Sequence, residues 1–518
     1  MKGLRNVIIQ AGGRGSRMGH LTDNRPKCLV PIDGKPILHS VSNAFGTEIE
    51  AVIIADYKSE VLEQYLKSFP PPFSWSIVIA EGKGTCSGIQ KAVELFGNEP
   101  FALVWSDLWF TKTLSTLESP DNFIGVSREI ECRWSYTDGN LAEEPNDESD
   151  KLGVPGVFIF NEPSLLPDVP KDGEFVRFLA DSNIRLNPFV LDGVKEIGTY
   201  RRYRKVRDSI VNSRFFNEVR IENKTVLKKA RNSSYNGLIE DEVNWYKFVA
   251  RKGFNNVPKI VSYSPLVMER IRGDHPFNLM NGQKASLKDK KEIISKIIDS
   301  LMELHSIANT RRIQAVAKEV YVEKTLKRIS VISGIVPHSD SDFYYVNGKK
   351  APNLLIHQNL PYLESLYSLI SKESPDSPFT LIHGDPTFSN ILIKSTDAMP
   401  IFIDPRGYFG SLKLFGDPLY DFSKLYYSAI GNYDFFNQGK FRLKMNNGSI
   451  EIKIKSEGFE GTQSLFSEYF DKQILAIRGL HALIWISLSG YVTDDYDAML
   501  GSYFHGIQLM AEVLNDYA

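Results

Sequence analysis

The chain has 518 residues, of which 42% are hydrophobic and 24% are charged, and its formal net charge at pH 7 is −2. This length predicts about two to four domains of ordinary globular size. The near-neutral charge gives no indication of a nucleic-acid or anionic-membrane surface. The three cysteines, Cys28, Cys86 and Cys132, show no CxxC spacing, which argues against a disulfide framework and against a structural zinc site.

Apolar runs in the sequence are short. Val7–Ile9 is too short for a signal peptide, and Leu483–Leu488 is far below the roughly 20 residues that span a bilayer. The most basic run, Tyr200–Lys205, is interpreted as a solvated helix face. We therefore expect a cytoplasmic protein without membrane insertion.

Short β-rich runs alternate with helix-like stretches over the first 200 residues or so. The predicted strands are Val7–Gln10, Ala51–Ala55, Ser76–Ala80 and Phe101–Trp105, and the helical stretches include Ser59–Ser68 and Gly88–Leu95. This alternation predicts a doubly wound, mainly parallel α/β sheet. In such sheets ligands bind at the carboxyl ends of the strands.

The pattern changes near Ser213. The predicted elements that follow are strands Arg214–Ile221, Thr225–Ala230 and Leu266–Ile271, helices Ile239–Arg251, Ala285–Ile307 and Leu360–Ile370, short strands at Leu381–Ile382, Ile391–Ile393 and Ile401–Ile403, a hairpin Phe441–Ile454 turning at Asn446–Gly448, and a helical last 60 residues or so. A small β lobe followed by a larger helical lobe is an α+β bilobal arrangement. We place the domains at 1–207, 208–275 and 276–518.

A glycine-rich segment follows the first predicted strand. It comprises Ala11, Gly12, Gly13, Arg14 and Gly15, with Arg17 close behind. Glycines after a strand let backbone amides approach phosphate oxygens, and arginines add forked donors. The segment is neither a Walker A loop nor a dinucleotide fingerprint, and taken alone a purely structural turn is an equal alternative.

The wider context resembles the sugar-phosphate nucleotidyltransferase superfamily over residues 1 to about 205. The segments that carry the resemblance are Ala11–Met18, Arg25–Ile32, Gly34–Leu38, Glu81–Ile89, Val104–Asp107, Gly153–Phe160 and Glu196–Thr199. The resemblance implies a GT-A or Rossmann-like fold. It also implies that Ala11–Gly15, Glu81, Gly84 and Thr85 contact a nucleoside triphosphate.

The same resemblance implies a set of charged groups for nucleotidyl transfer. Asp107 and Glu196 would hold Mg²⁺, although aspartate is commoner at the second position. Arg17 would neutralise the departing pyrophosphate, and Lys27 would bridge the α-phosphate and the acceptor phosphate. Charge develops on phosphate oxygens in this reaction, so fixed cations and a metal ion supply the stabilisation.

A second motif, His383-Gly384-Asp385, begins a stretch that ends at Asn390. Asp385 and Asn390 have the spacing of a kinase catalytic loop, and Asp404 follows at the end of a predicted strand. These residues resemble the aminoglycoside phosphotransferase and choline kinase superfamily over about 210–518. The resemblance implies a bilobal protein-kinase-like fold. His383, Asp417 and Asp421 are interpreted as structural supports.

The resemblance to this superfamily also implies residue roles. Asp385 would accept the proton of the acceptor hydroxyl, while Asn390 and Asp404 would hold Mg²⁺ on the phosphates of ATP. Lys228 would pair with the α- and β-phosphates and Glu242 would orient it, with Lys229 as the alternative lysine. Glu269 and Ile271 lie in the segment expected to hold adenine through the backbone. No glycine-rich loop precedes Lys228.

The two halves together predict a bifunctional transferase. The kinase half would phosphorylate a small hydroxylated compound, a sugar, with ATP, and the other half would convert the product with a second NTP into an NDP-sugar and pyrophosphate for capsule, surface polysaccharide or cell-wall synthesis. The alternatives are choline kinase with CTP:phosphocholine cytidylyltransferase, and a chain in which one domain is inactive and regulatory. A protein kinase is disfavoured because no A-P-E or H-R-D motif is present. Small molecules are the expected partners, without nucleic acid, and a homo-oligomer stays open.

Overall fold

The computed structural model describes residues 4–114, 120–143, 151–182, 184–210, 217–279, 285–372, 377–446 and 448–517. They form two compact units, residues 1–211 with 493–497 and residues 212–492 with 498–518. The predicted boundary after residue 207 falls within the helix Tyr200–Ser209. None of the helices in the described ranges is both long and apolar enough to cross a membrane.

A seven-stranded sheet forms the centre of the first unit. Its strands lie in the order Asn187–Val190, Phe123–Val126, Val157–Phe160, Phe101–Trp105, Asn6–Gln10, Glu50–Ala55, Ser74–Ile79. Asn6–Gln10 runs parallel to both of its neighbours, and Val157–Phe160 runs antiparallel to its own. The predicted α/β sheet, mainly parallel, is confirmed.

The helices Ile89–Phe96 and Phe175–Asp181 pack apolar side chains against this sheet. The helices of the unit are Val41–Phe45, Ser59–Ser68, Ile89–Phe96, Phe175–Asp181 and Tyr200–Ser209. Ile8, Leu103 and Phe158 from the sheet pack with Ile89 and Phe175 in one fully buried core. Val7, Ile8 and Ile9 are all inaccessible to solvent, as expected for a parallel strand that is covered on both faces.

Short ladders extend the first unit beyond the central sheet. Leu108–Phe110 pairs with Val194–Glu196 in antiparallel register, and Ser135–Thr137 pairs with Asn140–Ala142 and Leu152–Gly153. The periodicity of the sequence did not predict the first ladder. In this ladder Leu108 lies opposite Glu196. The ladder therefore brings the residues that follow the central strand Phe101–Trp105 next to a segment far along the chain.

The second unit begins with a four-stranded antiparallel sheet. The strands lie in the order Asn217–Ile221, Thr225–Ala230, Leu266–Glu269, Ile260–Tyr263. The helix Asn236–Arg251 follows the second strand. The strand Ile260–Tyr263 was not predicted, and the start of the predicted strand Arg214–Ile221 lies outside the described residues.

The rest of the second unit is mainly helical. Its α-helices are Pro276–Leu279, Leu287–Ser306, Gln314–Lys318, Lys324–Ile332, Leu360–Lys372, Pro418–Ala429, Tyr433–Asn437, Gln463–Phe470, Ile474–Leu488 and Tyr496–Tyr517. Short strands at Phe379–Leu381, Ile391–Lys394 and Pro400–Phe402 lie among them. Ile474–Leu488 is buried along most of its length, which is the pattern of a central core helix. The predicted bilobal α+β organisation is confirmed.

The predicted hairpin is present as Phe441–Asn446 and Ser449–Ile454, and Asn447 of its turn lies outside the described residues. A second hairpin, Phe343–Val346 with Lys349–Pro352, joins it through parallel pairing of Val346 with Ile450. The sequence did not predict this second hairpin. The two hairpins together make a four-stranded sheet.

Candidate active sites

The glycine-rich segment turns tightly after the first central strand. Ala11 N donates to Ile54 O at 2.8 Å, and Gly15 O accepts a bond from Met18 N at 2.8 Å. Gly15 has a φ of +66°, and a Cβ added there would lie 3.1 Å from Lys27 Cβ. A side chain at position 15 would therefore be strained and would crowd Lys27. The segment thus approaches one of the predicted catalytic residues.

Lys27 and Asp107 form an ion pair in the first unit. Lys27 Nζ donates to Asp107 Oδ2 at 2.8 Å, and both side chains are largely buried. Asp107 follows the strand Phe101–Trp105, whose end is held by Ser106 N donating to Gln10 O at 3.2 Å. Asp107 Oδ1 is buried and has no hydrogen-bond partner among the described residues. The Asp107 carboxylate therefore has one buried oxygen to which no hydrogen-bond donor among the described residues binds.

Glu196 lies beside Asp107 because of the short ladder. Ile197 N donates to Asp107 O at 2.9 Å, and Gly198 N donates to Glu196 Oε1 at 2.8 Å. A Cβ added to Gly198 would overlap both Asp107 Oδ2 and Glu196 Oε1, so the two carboxylates converge on the space that this glycine leaves. Burial, and then the Asp107 carboxylate, raise the pKa of Glu196.

Arg202 completes the cluster and was not predicted as a site residue. It forms an ion pair with Glu196 Oε2, and its Nη2 donates to Glu131 O at 2.8 Å. Thr199 caps the helix by accepting from Arg202 N. In the sequence Arg202 is one cation of a basic run, and nothing in that run distinguishes it from its neighbours.

The carboxylates of this cluster fit a magnesium ion. Magnesium prefers oxygen ligands and usually keeps several waters, with one or two carboxylates and substrate phosphates completing its shell. Asp107 and Glu196 supply two such groups, and in the described part of the chain Asp107 Oδ1 has no hydrogen-bond partner. Within the described ranges no group of three or more acidic, histidine or cysteine side chains could enclose a metal. Any cation held here would therefore depend on the substrate for further ligands.

Thr85 and Gly84 pack against a neighbouring loop. Thr85 O accepts a bond from Gln10 Nε2, and Thr85 Oγ1 accepts from Phe175 N at 2.8 Å. Gly84 has a φ of +82°, and a Cβ there would overlap Gly173 O. These contacts fix the backbone of the predicted base-binding segment at the end of the strand that holds Gln10.

Three predicted residues lie outside the Lys27–Asp107–Glu196 cluster. Glu81 is about half exposed and pairs with Lys91. Arg14 is exposed, with its guanidinium 5.7 Å from the Tyr57 ring centroid. Arg17 is also exposed and makes no ion pair within the described part of the chain. The structure therefore brings together Lys27, Asp107 and Glu196, but not these three.

In the second unit Lys228 lies between two carboxylates. Lys228 Nζ is 2.6 Å from Glu242 Oε2 and 2.7 Å from Asp404 Oδ1, and Lys228 is only 4% exposed. Burial would lower the pKa of Lys228, but Asp404 and Glu242 raise it above its ordinary value. The alternative, Lys229, points to the other face of the strand and pairs with Glu218 at 3.0 Å, because successive strand side chains alternate.

Asp385 and Asn390 contact each other, as their spacing suggests. Asn390 Nδ2 donates to Asp385 O at 2.8 Å and to Asp385 Oδ2 at 3.1 Å. Lys424 Nζ lies 3.0 Å from Asp385 Oδ1. Lys424 belongs to the helix Pro418–Ala429 and was not predicted as a site residue. A buried lysine therefore pairs with the Asp385 carboxylate.

Asp421 supports the loop that carries Asp385. Its two carboxylate oxygens accept from His383 N and Gly384 N, each at 2.8 Å, and His305 Nε2 lies 3.0 Å away. His383 Nε2 lies 3.0 Å from Ile403 O, which ties the loop to the segment before Asp404. These contacts indicate that Asp421 and His383 hold the loop with Asp385 in place.

One cavity of about 850 Å³ contains most of the predicted kinase residues. Lys228, Glu242, Asp385 and Asp404 line it, together with residues of the helices Lys324–Ile332, Pro418–Ala429 and Ile474–Leu488. Asn390 lies beneath this surface and is 1% exposed. A cavity of this size accommodates a small substrate.

Glu269 and Ile271 do not line this cavity. The strand ends at Glu269, so Ile271 lies beyond it. Glu269 N donates to Lys259 O at 2.9 Å, and this amide is therefore already satisfied within the sheet. The expectation that the backbone of the segment with Glu269 and Ile271 holds adenine stays a prediction, and any such bond would use groups other than the Glu269 N–H.

Comparison with known families agrees with these two clusters. Residues 7–117 match the model of the MobA-like NTP transferase domain, and residues 203–443 match the model of the phosphotransferase enzyme family. The first match contains Lys27 and Asp107, and the second contains Lys228, Asp385 and Asp404.

Individual relatives resemble part of the chain. The "Bifunctional protein GlmU" of Methanocaldococcus jannaschii is 38% identical over 173 residues, which are 30% of this chain and 40% of that protein. The N-acetylmuramate alpha-1-phosphate uridylyltransferase of Neisseria meningitidis serogroup B is 34% identical over 124 residues, or 22% of this chain and 53% of that protein. The chain thus spans about half or less of the length of these two relatives.

The structure of CTP:phosphocholine cytidylyltransferase from Streptococcus pneumoniae matches 40% of this chain and 99% of that chain, with 20% identity and a TM-score of 0.33. The family matches are the firmer finding, because one contains Lys27 and Asp107 and the other contains Lys228, Asp385 and Asp404. The chain therefore joins a nucleotidyltransferase domain of the MobA-like type to a domain of the phosphotransferase enzyme family.

Proposed function

We propose that the chain is a bifunctional enzyme that first phosphorylates a sugar with ATP and then transfers a nucleotidyl group from a second NTP to the new phosphate. The products are an NDP-sugar and pyrophosphate, for capsule, surface polysaccharide or cell-wall synthesis. The observation that carries the proposal is the presence of two separate charged clusters, one around Lys27 and Asp107 and one around Lys228 and Asp404. Each has the composition that phosphoryl chemistry requires.

In the first unit, Lys27 binds the phosphates that react. Substrate phosphate oxygens compete with Asp107 for the Lys27 ammonium, and the largely buried setting strengthens that interaction. Asp107 and Glu196 would hold Mg²⁺, which supplies charge neutralisation at the α-phosphate. Arg202 holds the Glu196 carboxylate in place. An acceptor phosphate oxygen then bonds to the α-phosphorus, and the bond to the bridging oxygen of pyrophosphate breaks.

In the second unit, Asp385 is the base. The acceptor hydroxyl oxygen bonds to the γ-phosphorus of ATP, the bond to the β–γ bridging oxygen breaks, and the hydroxyl proton passes to the Asp385 carboxylate. Lys424 pairs with this carboxylate, and Asn390 orients it. Lys228 pairs with the phosphates of ATP, while Asn390 and Asp404 would hold Mg²⁺ there.

The sugar assignment is supported by a relative. One similar protein is an N-acetylmuramate alpha-1-phosphate uridylyltransferase, whose name describes transfer to a sugar 1-phosphate. The order of steps follows from chemistry, because the phosphomonoester made by the kinase half is the kind of acceptor that the other half needs.

Two variants test whether the sites act independently. Asp385→Asn should abolish ADP release from ATP and sugar but preserve pyrophosphate release from an NTP and added sugar 1-phosphate. Asp107→Asn should do the reverse. Asp471→Asn and Asp168→Asn, at exposed positions of the second and first units, are matched controls.

Mass spectrometry of reactions with the four NTPs and a panel of sugars, polyols and choline would identify the product. Loss of both activities in Asp385→Asn would contradict two separate sites. Formation of CDP-choline without any NDP-sugar would contradict the sugar assignment.

A further inference from the structure

The cavity of the second unit is lined by more cations than carboxylates. Besides Lys228, its lining includes Lys324, Lys327, Arg328, Arg406 and Lys424. Glu242 and Asp404 pair with Lys228, so the further carboxylates among the described lining residues are Asp385 and Glu319. Cations therefore outnumber carboxylates around the space that an acceptor would occupy.

Among the described residues, Lys424 is the one of these five cations that forms an ion pair with a carboxylate. Lys424 pairs with Asp385, and Arg328 donates to Gly490 O at 2.7 Å. Arg406 Nη1 donates to the Tyr420 hydroxyl at 3.2 Å, and within the described ranges neither Arg406 nor Lys324 forms an ion pair with an acid. Both side chains are partly buried, so their charges are only partly solvated.

The nearby positive charges change the pKa of the Tyr420 phenol. Burial alone would raise the pKa of Tyr420, but Lys324, Lys424 and Arg406 lower it to about 7. The Tyr420 phenolate raises the pKa of Lys324, whereas burial and the cations Arg406, Lys424 and Arg328 lower it to about 8. Lys324, Arg406 and Lys424 thus lie close enough to interact electrostatically around the Tyr420 hydroxyl.

Uncompensated charges in a partly buried cavity are costly unless a ligand pairs with them. A cleft lined by one sign of charge also concentrates ligands of the opposite sign. The lining of the cavity also includes apolar side chains, among them Leu480, Leu483 and Leu488. This arrangement fits a ligand with an anionic group at one end and a less polar body.

We infer that the acceptor phosphorylated by the second unit carries a negatively charged group, a carboxylate or a phosphate, besides the hydroxyl that receives the phosphoryl group. Lys324 and Arg406 pair with the anionic group while the hydroxyl faces Asp385. This inference rests on the proposed kinase function and specifies its substrate class.

The same geometry disfavours a cationic acceptor such as choline. Aromatic rings bind quaternary ammonium groups through their faces, and the cavity does contain tyrosines. However, Lys424 Nζ already lies 5.2 Å from the Tyr427 ring centroid and 5.9 Å from that of Tyr420. A second cation at these rings would meet a like charge.

The test compares sugars that differ in one anionic group. ADP release by the full chain is measured with glucuronate against glucose, with N-acetylmuramate against N-acetylglucosamine, with glucose 6-phosphate against glucose, and with choline. A charge-assisted contact predicts a kcat/KM about tenfold higher or more for the anionic member of at least one pair. The pairs with glucuronate and N-acetylmuramate test a carboxylate, and the pair with glucose 6-phosphate tests a phosphate, so the panel shows which anionic group the cavity prefers.

Lys324→Gln tests the assigned residue. It should reduce the preference for the anionic member about tenfold through KM, leave the KM for ATP unchanged and preserve the thermal unfolding midpoint. Lys324→Arg should restore the preference, and Lys288→Gln, at an exposed lysine, is the control.

Three outcomes would overturn the inference. Preferential turnover of neutral sugars or choline contradicts it but leaves the kinase function intact. A rise in the KM for ATP in Lys324→Gln would show that this cation serves the nucleotide instead. If no panel member gives ADP, the kinase function itself fails and the inference fails with it.

Discussion

Lys27 Nζ lies 2.8 Å from Asp107 Oδ2, although the two residues are 80 positions apart in the chain. The ion pair forms because the glycine-rich segment turns back from the first central strand while Asp107 follows the neighbouring parallel strand. Both residues therefore lie at the carboxyl edge of the sheet, where ligands bind in this architecture. Removing either partner should affect nucleotidyl transfer more than the fold of the second unit.

Lys27→Met should lower kcat/KM for pyrophosphate release about 100-fold or more, because a preorganised cation at the reacting phosphates is lost. ADP release by the second unit should be unchanged. Steady-state assays of both products check this result, with Lys67→Met, an exposed lysine, as the control. An unaltered rate of pyrophosphate release would exclude Lys27 from the site.

Gly198→Ala should weaken magnesium binding by the first unit without unfolding it. The new methyl group would overlap Asp107 Oδ2 and Glu196 Oε1, so the carboxylates must separate and bind Mg²⁺ less well. We expect a higher Mg²⁺ concentration for half-maximal pyrophosphate release. Gly237→Ala is a suitable control, since a Cβ there meets nothing within 4 Å. Normal magnesium dependence in Gly198→Ala would argue against convergent metal ligands.

Lys228→Met and Lys229→Met should differ sharply. The first removes the ammonium that pairs with the buried Glu242 carboxylate, which costs about 3–5 kcal/mol of unfolding free energy, and it also removes the phosphate contact. The second breaks an exposed pair with Glu218, which is worth about 1 kcal/mol or less. Urea unfolding and ADP release measure the two effects. Equal losses of unfolding free energy and of ADP release in the two variants would show that these lysines do not differ in role, although they lie on opposite faces of the strand.

Glu457 should make stability depend on pH. Burial, and then the nearby Asp434, raise its pKa to about 9, and its Oε2 has no hydrogen-bond partner among the described residues. Since the folded pKa exceeds the unfolded value of 4.5, the folded state favours the protonated form. Its contribution is full below about pH 4.5 and is lost as pH rises towards 9.

The comparison with Glu457→Gln isolates this effect, because glutamine stays neutral throughout. The unfolding free energy of the wild type minus that of the variant should fall by up to about 1.4 kcal/mol per pH unit between pH 5 and 9. Urea titrations at pH 6 and 8 would measure the difference. A difference that stays constant across this range would contradict a neutral buried Glu457.

Local patterns in the sequence predicted the regular elements well. The helix Ser59–Ser68 and the strands Phe101–Trp105 and Thr225–Ala230 have the predicted bounds. Apolar periodicity depends only on residues that are close in the sequence, so it can be recognised without knowledge of the fold. The spacing of Asp385 and Asn390 is likewise local, and their contact followed from it.

The ladder between Leu108–Phe110 and Val194–Glu196, and the hairpin Phe343–Val346 with Lys349–Pro352, were missed. Their strands are short and their stability comes from partners elsewhere in the chain. The contacts of Arg202 with Glu196 and of Lys424 with Asp385 were missed for the same reason. In the sequence each is one lysine or arginine among many, and only packing assigns its neighbour.

The sequence by itself determined the two kinds of domain and the acids and lysines around which each cluster forms, because motif spacing and periodicity are encoded over short segments. Only the tertiary structure decided that Lys228 rather than Lys229 lies between two carboxylates, and that Lys324 and Arg406 share a cavity with Asp385. Charge balance in a cavity depends on side chains from distant segments, and it is this balance that points to the class of acceptor.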